Sequence, residues 1–178
     1  MNRGHLLLAA LALLSMLAGA LLFHWIKDAE QSGADNTAQS QPITLDSIPL
    51  TDINGVETTL SDWRGDRLIV NFWAPWCIPC RREIPLLIEI QQEYADQGVK
   101  VLGIALDEKK SVVEFAKEYA INYPLFLAGN RISMYNAAFS NRSSAIPFTL
   151  LLDRNLNIVF SHYGEVSREL LEQQLNPL

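Results

Sequence analysis

Cysteine, histidine and methionine are scarce in this 178-residue chain, which contains two, three and three of them. A structural zinc site needs four cysteine or histidine ligands. Two of the histidines fall in an apolar N-terminal segment, so only His162 remains beside the two cysteines. Copper sites of the methionine type are also disfavoured, because Met134 is the only methionine after residue 16. We therefore predict no bound metal and no cofactor.

Positive charge is also in short supply. The chain has 14 Lys and Arg against 20 Asp and Glu, a formal net charge of −6, and the part from Pro42 onward has 12 against 17. Proteins that bind nucleic acid present a basic patch or stripe to the phosphate backbone. The sequence contains no such stripe, so nucleic acid is not predicted as a partner.

One long uncharged run stands at the N-terminus. Leu6 to Phe23 are 18 residues without charge, enough at the rise of a helix to cross the hydrocarbon layer of a bilayer. Arg3 and the free amine precede the run, whereas Lys27, Asp28 and Glu30 follow it, and this weak positive bias favours a cytoplasmic N-terminus. We predict that residues 1–27 form a signal anchor with one transmembrane helix in a lipid bilayer, and that the rest of the chain lies outside the cytoplasm.

The alternative for this segment is a cleaved signal peptide. Ala18-Gly19-Ala20 offers a small-residue cleavage site of the usual kind. The apolar run continues past that site, however, and Trp25 is placed as an anchor at the membrane interface. Both interpretations send the remainder of the chain across the membrane.

Residues 28–42 have little that could form a core. They carry no apolar side chain larger than alanine, so they cannot bury enough surface to offset the conformational entropy lost on ordering. We predict a flexible linker over residues 28–42 and a folded domain over residues 43–178.

Local patterns predict that this domain is of the α/β class. Asn54-Gly55 between two β-prone stretches is typical of a hairpin, and Leu68 to Trp73 is an apolar run typical of a strand buried on both faces. Helical and strand patterns then alternate as far as Leu127, followed by two strands and a last helix that Ser167 can cap. This order predicts one sheet with a parallel centre and an antiparallel edge.

The two cysteines lie in the sequence NFWAPWCIPC, residues 71–80, between the apolar strand and the next helix. A Cys-x-x-Cys pair could be redox-active, could supply half of a metal site, or could be two inert buried thiols. An exposed position at a helix N-terminus favours redox chemistry, because unpaired backbone N–H groups and the helix dipole stabilise a thiolate. We predict that Cys77 attacks and that Cys80, which is more buried, resolves, so that the two form a redox-active disulfide.

Two neighbouring residues are predicted to support the pair. Pro79 lacks the N–H that would remain unpaired in the first helical turn, and its fixed φ favours that turn. Trp76 could give an extended partner chain a flat apolar surface, or it could simply be packed at the end of the strand. The sequence leaves both interpretations of Trp76 open.

The segment NFWAPWCIPCRREIP resembles the active-site segment of thioredoxin-fold thiol-disulfide oxidoreductases. The resemblance is to the membrane-anchored TlpA-like and ResA-like group, which includes the cytochrome c biogenesis reductases. It extends from about Ile43 to the C-terminus and includes Pro85 in the helix after the cysteines. It implies a thioredoxin-like fold with an N-terminal β-hairpin and an extra central α-β element over residues 107–127. It also implies a cis peptide bond before Pro147, and a supporting role for Ile146 and Pro147 beside the cysteines.

Glu83 is the acidic candidate. Simple thioredoxins carry a buried aspartate at the position of Asn71, whereas ResA-like proteins keep an acidic residue at the position of Glu83, so the resemblance implies that Glu83 takes part in protonating the site. A carboxylate near a thiol can accept its proton during exchange. The alternative for Glu83 is a solvated acid that interacts favourably with the helix dipole.

These observations predict a protein-disulfide reductase outside the cytoplasm. By resemblance, the substrate is a disulfide-containing exported protein such as apocytochrome c, and a membrane thiol protein donates the electrons. DsbA-like oxidants have a histidine between the cysteines, whereas Ile78-Pro79 occupies that place here. The alternative is a non-catalytic thiol chaperone or copper-delivery module on the same fold.

Overall fold

The computed structural model describes residues 15–25, 27 and 44–175. Residues 15–25 are helical, and large apolar side chains on them, such as Leu21 and Phe23, are exposed. Within these described ranges no helix is both long enough and apolar enough to cross a membrane. The rest of the predicted signal anchor and the whole of the predicted linker lie outside the described residues.

A two-stranded hairpin opens the folded domain, as predicted. Strands β1 (Pro49–Thr51) and β2 (Glu57–Thr59) pair antiparallel, and Gly55 in the turn has φ 89°, a conformation that glycine adopts without steric cost. The Asp52 carboxylate accepts hydrogen bonds from the backbone N–H groups of Asn54 and Val56, both at 2.8 Å. The turn is therefore stabilised by the residue that precedes it.

The main sheet has five strands in the order β5-β4-β3-β6-β7. Its strands are β3 (Arg67–Trp73), β4 (Val99–Ala105), β5 (Leu125–Leu127), β6 (Phe148–Leu152) and β7 (Ile158–Tyr163). The pairs formed by β3, β4 and β5 are parallel, whereas β6 pairs antiparallel with both β3 and β7. Every residue of β3 after Arg67 is buried, which confirms the prediction of a central strand covered on both faces.

Helices cover both faces of this sheet. The four helices are α1 (Ile78–Tyr94), α2 (Lys109–Glu118), α3 (Ile132–Ala138) and α4 (Arg168–Leu175). Apolar residues of α1, α2 and α4 form one core with one sheet face, and α3 and the hairpin form a second core with the other face. The Ser167 hydroxyl accepts the Leu170 N–H at 3.2 Å and so caps α4, as predicted.

The predicted sheet needs one correction. Antiparallel pairing is not confined to the edge, since it begins at the central strand, where β6 pairs with β3. The connection between β5 and β6 explains why. Its helix α3 has seven residues, about 10 Å, and does not return the chain to the end of the sheet where the parallel strands begin. Strand β6 therefore starts at the end of the sheet where β5 stops, and it runs in the direction opposite to β3, β4 and β5.

The extra central element is present as the resemblance implies. It consists of α2 and β5, and β5 adds an outer parallel strand beside β4. The hairpin reaches this strand as well, because Asp52 forms a bridge with Phe126. The two additions thus extend the same side of the sheet.

Candidate active site

The end of β3 and the start of α1 place the two cysteines. Cys77 is the N-cap of α1, and its sulfur accepts the backbone N–H of Cys80 at 3.3 Å. The two sulfurs are bonded as a disulfide of 2.09 Å, with the Cα atoms 5.3 Å apart. Cys77 Sγ therefore lies where the unpaired N–H groups of the helix converge, an arrangement that favours a thiolate once the disulfide is reduced.

Cys77 is less accessible than its expected exposed position, whereas Cys80 is buried as predicted. Cys77 is 5% exposed and Cys80 is fully buried, so the expected order holds, but the attacking residue is not openly exposed. The surface around it is apolar, because Trp76 is 65% and Ile78 is 69% exposed. This favours the interpretation of Trp76 as a surface for a partner chain. Ile78 was not among the predicted site residues, although its place between the cysteines was a signal.

Two prolines shape the same end of the sheet. Pro79 is in the first turn of α1, where its missing N–H costs no hydrogen bond. The peptide bond between Ile146 and Pro147 is cis, as the resemblance implies. Because Phe148 pairs with Phe72, Pro147 lies next to the end of β3 that leads to Cys77. Ile146 is half-buried and packs against both cores.

Glu83 lies on α1, one turn after Cys80, and its side chain is buried. It is 1% exposed, which rules out the alternative of a solvated acid. Its Oε1 accepts the Asn71 amide at 2.8 Å and its Oε2 accepts the Val166 N–H at 3.0 Å. Burial raises the pKa of Glu83 to about 7, although these two hydrogen bonds act to lower it. Glu83 can therefore hold or release a proton near neutral pH.

Asn71 joins Glu83 to the sheet. Its amide nitrogen also donates to Thr149 Oγ1 at 3.0 Å across the β3–β6 pair. The roles of Thr149 and of the Val166 N–H were not predicted from the sequence. A polar residue inside an otherwise apolar strand was a usable signal, because a buried polar group needs a hydrogen-bond partner. The partners themselves come from distant parts of the chain and carry no local pattern.

This arrangement suits exchange between dithiols and disulfides. It combines an activated sulfur, a second sulfur one turn away, and a carboxyl group three residues further along the same helix face. Among the described residues, no group of three or more His, Cys, Asp or Glu side chains is placed to hold a metal ion.

Known proteins are similar to this chain in sequence and in fold. The chain is 32% identical over 147 residues to the thiol-disulfide oxidoreductase ResA of Geobacillus kaustophilus, which covers 81% of each chain. It is 34% identical to the thioredoxin-like protein YneN of Bacillus subtilis, over 71% of this chain and 74% of YneN. The crystal structure of a thioredoxin-family thiol:disulfide interchange protein from Chlorobium tepidum aligns with a TM-score of 0.65 at 28% identity, covering 76% of this chain and 95% of that one.

These similarities define a thioredoxin-like thiol-disulfide oxidoreductase of the ResA type. The AhpC/TSA family profile matches residues 42–161, which is more than half of the chain, and the chain therefore belongs to the AhpC/TSA family.

Proposed function

We propose that this protein reduces disulfide bonds in exported proteins through a Cys77–Cys80 dithiol cycle. The observation that carries the proposal is the position of Cys77 Sγ at the N-terminus of α1, bonded to the buried Cys80. The protein substrate and the redox partner follow from the type of oxidoreductase that the similarities define.

The exchange proceeds in two displacements. The Cys77 thiolate attacks one sulfur of the substrate disulfide, and the other substrate sulfur leaves as a thiolate. The Cys80 thiol then loses its proton and attacks Cys77 Sγ, which releases the second substrate sulfur as a thiolate. Two electrons pass to the substrate, whose two thiolates take up protons from solvent to give a dithiol, and Cys77–Cys80 becomes the disulfide seen in the structure.

Glu83 is the proposed acceptor of the Cys80 proton. The two residues are three apart on α1 and so lie on the same helix face, about 5–6 Å apart at Cβ. A carboxyl group whose pKa is about 7 can take a proton in one step of the cycle and release it in the next. The apolar surface formed by Trp76 and Ile78, with cis-Pro147 nearby, is the proposed contact for an extended substrate segment.

The proposed setting is the periplasmic side of a bacterial inner membrane. Support comes from the 18-residue uncharged run and from the exposed apolar side chains of residues 15–25. A membrane thiol protein would return two electrons to the disulfide after each cycle. Apocytochrome c is the proposed client, on the resemblance to cytochrome c biogenesis reductases.

Insulin reduction by the purified full-length chain, with dithiothreitol as electron source, tests the proposed reaction. We expect turnover by the wild type and its loss, at least 100-fold, in Cys77→Ser, because the attacking sulfur is gone. Ser133→Ala, away from the cysteines, is the matched control. Equal activity in wild type and Cys77→Ser, or none in either, would favour a thiol chaperone or copper-delivery module instead.

The reduction potential of the Cys77–Cys80 pair, measured on the same purified protein, tests the direction of electron flow. A reductase should have a potential nearer the ~−270 mV of thioredoxin than the ~−120 mV of DsbA.

Trapping the mixed disulfide of Cys80→Ser in cells would identify the client, because that variant cannot resolve the intermediate.

A further inference from the structure

Three buried polar atoms near Glu83 have no hydrogen-bond partner among the described residues. They are Asn71 Oδ1, Trp73 Nε1 and the Tyr123 hydroxyl. Buried polar atoms are nearly always paired, with protein or with ordered water. One is an acceptor and two can donate, so the set is chemically complementary.

The three side chains meet on one face of the sheet. Asn71 and Trp73 are two residues apart on β3 and point to the face that α1 covers. Gly103 on β4 is the register partner of Asn71. A Cβ at Gly103 would lie 3.0 Å from Trp73 Nε1 and 3.2 Å from Tyr123 Cε2, so the indole and the phenol ring meet over this glycine.

Tyr123 is also electrostatically coupled to Glu83. It is 5% exposed, and burial, followed by the negative charge of Glu83, raises the pKa of its hydroxyl. The phenol therefore keeps its proton and remains a donor. Tyr123 belongs to the extra central element, just before β5, and the neighbouring Pro124 carbonyl accepts the Gly103 N–H at 2.9 Å. This contact ties the element to the sheet beside the site.

We propose that Tyr123 is a positioning residue for Glu83, acting through one internal water molecule that binds between Tyr123, Trp73, Asn71 and the Glu83 carboxylate. The water would accept hydrogen bonds from the phenol and the indole and donate to Asn71 Oδ1 and to Glu83. All four hydrogen bonds of the water would then be made. The extra element would then serve the chemistry as well as the sheet. This inference rests on the proposed function, in which Glu83 accepts the Cys80 proton.

The ionisable surroundings of Glu83 are limited. The sheet side contributes Asn71 and Thr149, which are uncharged. The loop before α4 contributes Glu165, whose charge raises the pKa of Glu83 and which pairs with Arg82 at 2.7 Å. In the oxidised protein the two cysteines form a disulfide and do not titrate, so among the described residues the groups to consider around Glu83 are Arg82, Tyr123 and Glu165.

Titration of Glu83 in Tyr123→Phe tests the inference. The measurement is the side-chain carboxyl ¹³C shift in the oxidised full-length protein, with the Glu83 resonance assigned from Glu83→Gln. Without the Tyr123 hydroxyl and the water that it holds, the Glu83 carboxylate is less stabilised. We therefore expect the midpoint of the Glu83 titration to rise by about 0.5 to 1 pH unit. In the wild type, the Trp73 indole N–H should show a cross-peak to a long-lived water, and this should vanish in Tyr123→Phe.

Tyr135→Phe is the matched control, since it removes a buried hydroxyl that donates to the Pro49 carbonyl at 2.7 Å in the other core. It should leave the Glu83 midpoint unchanged. If Tyr123→Phe does not fold, Trp73→Phe removes the other donor and should shift the midpoint in the same direction. An unshifted midpoint in the folded variant overturns the inference. Absence of insulin reduction by the wild type would overturn the proposed function. The titration of Glu83 would still decide the inference about Tyr123.

Discussion

At the scale of single residues, the site depends on burial of groups that usually face water. Glu83 carries a carboxyl group in an apolar core, and its hydrogen-bond partners among the described residues are Asn71 and the Val166 N–H, which support its charged form. The position of Cys77 at a helix N-terminus acts on the thiol in the opposite sense, because it favours the charged form. The helix N-terminus thus favours loss of the proton from the Cys77 sulfur, whereas burial favours its retention by the Glu83 carboxyl group.

The buried carboxyl makes stability fall as pH rises. The pKa of Glu83 is about 7 in the folded protein against 4.5 for a free glutamate. Below pH 4.5 the group is protonated in both states and costs nothing; between pH 4.5 and 7 the unfolded chain releases the proton first, and stability declines by about 3 kcal/mol. Glu83→Gln should remove most of this decline, measured by urea unfolding of the oxidised protein at pH 5 and pH 8.

Glu165→Gln is the control for that measurement. Glu165 lies next to Val166 but is exposed and paired with Arg82, so its loss should leave most of the decline in place. A wild-type protein equally stable at pH 5 and pH 8 would show that Glu83 is charged at little cost.

The sequence revealed the site only where chemistry leaves a local pattern. The Cys-x-x-Cys spacing and Pro79 are visible in ten consecutive residues, and the helix that follows is predicted by periodicity. Thr149 is not visible in this way, because its contact with Asn71 depends on the register of β6 against β3, and a one-residue change would point it to the other face. Tyr123 is not visible either, because it lies in the loop before β5 and meets Trp73 over Gly103 of β4.

At the scale of secondary structure elements, strand order was harder to predict than the strands themselves. The bounds of β3 agree with the predicted run to within one residue, since the strand is apolar except for Arg67 at its start and Asn71. The direction of β6 was only partly predicted, because it depends on the end of the sheet at which the chain emerges from α3. The start of β6 at Phe148 follows cis-Pro147, which has no N–H to donate to a neighbouring strand.

Close approach of layers over β4 makes Gly103 sensitive to substitution. An added Cβ would lie 2.6 Å from Leu125 Cδ2, and would also crowd the Trp73 and Tyr123 rings. Leu125 can rotate away at its tip, but the two rings are held by the core, so we expect Gly103→Ala to destabilise the fold by about 1–3 kcal/mol. Urea unfolding at one pH measures this. Lys100→Ala on the same strand adds no atoms to the core and should cost less; equal stability of Gly103→Ala and wild type would contradict the packing argument.

At the scale of the whole molecule, the chain combines an acidic folded domain with an apolar N-terminal segment. The domain has 12 Lys and Arg against 17 Asp and Glu from Pro42 onward, a formal net charge of −5. Leu6 to Phe23 has the opposite character, since its 18 residues carry no charge, and the proposed anchor depends on this run.

Expression of the full chain in a bacterium tests the proposed anchor against a cleaved signal peptide. We expect the protein to sediment with the inner membrane, to resist extraction by high salt or alkaline carbonate, and to dissolve in detergent, because burial of 18 apolar residues outweighs any surface charge attraction. Its intact mass should include the N-terminal residues. Recovery in the periplasmic fraction with a mass that begins after Ala20 would identify a signal peptide. A chain that replaces Leu13 and Leu14 by arginine is the matched control: it should lose membrane insertion, since each charge at the helix centre opposes insertion by about 2.5–3.5 kcal/mol.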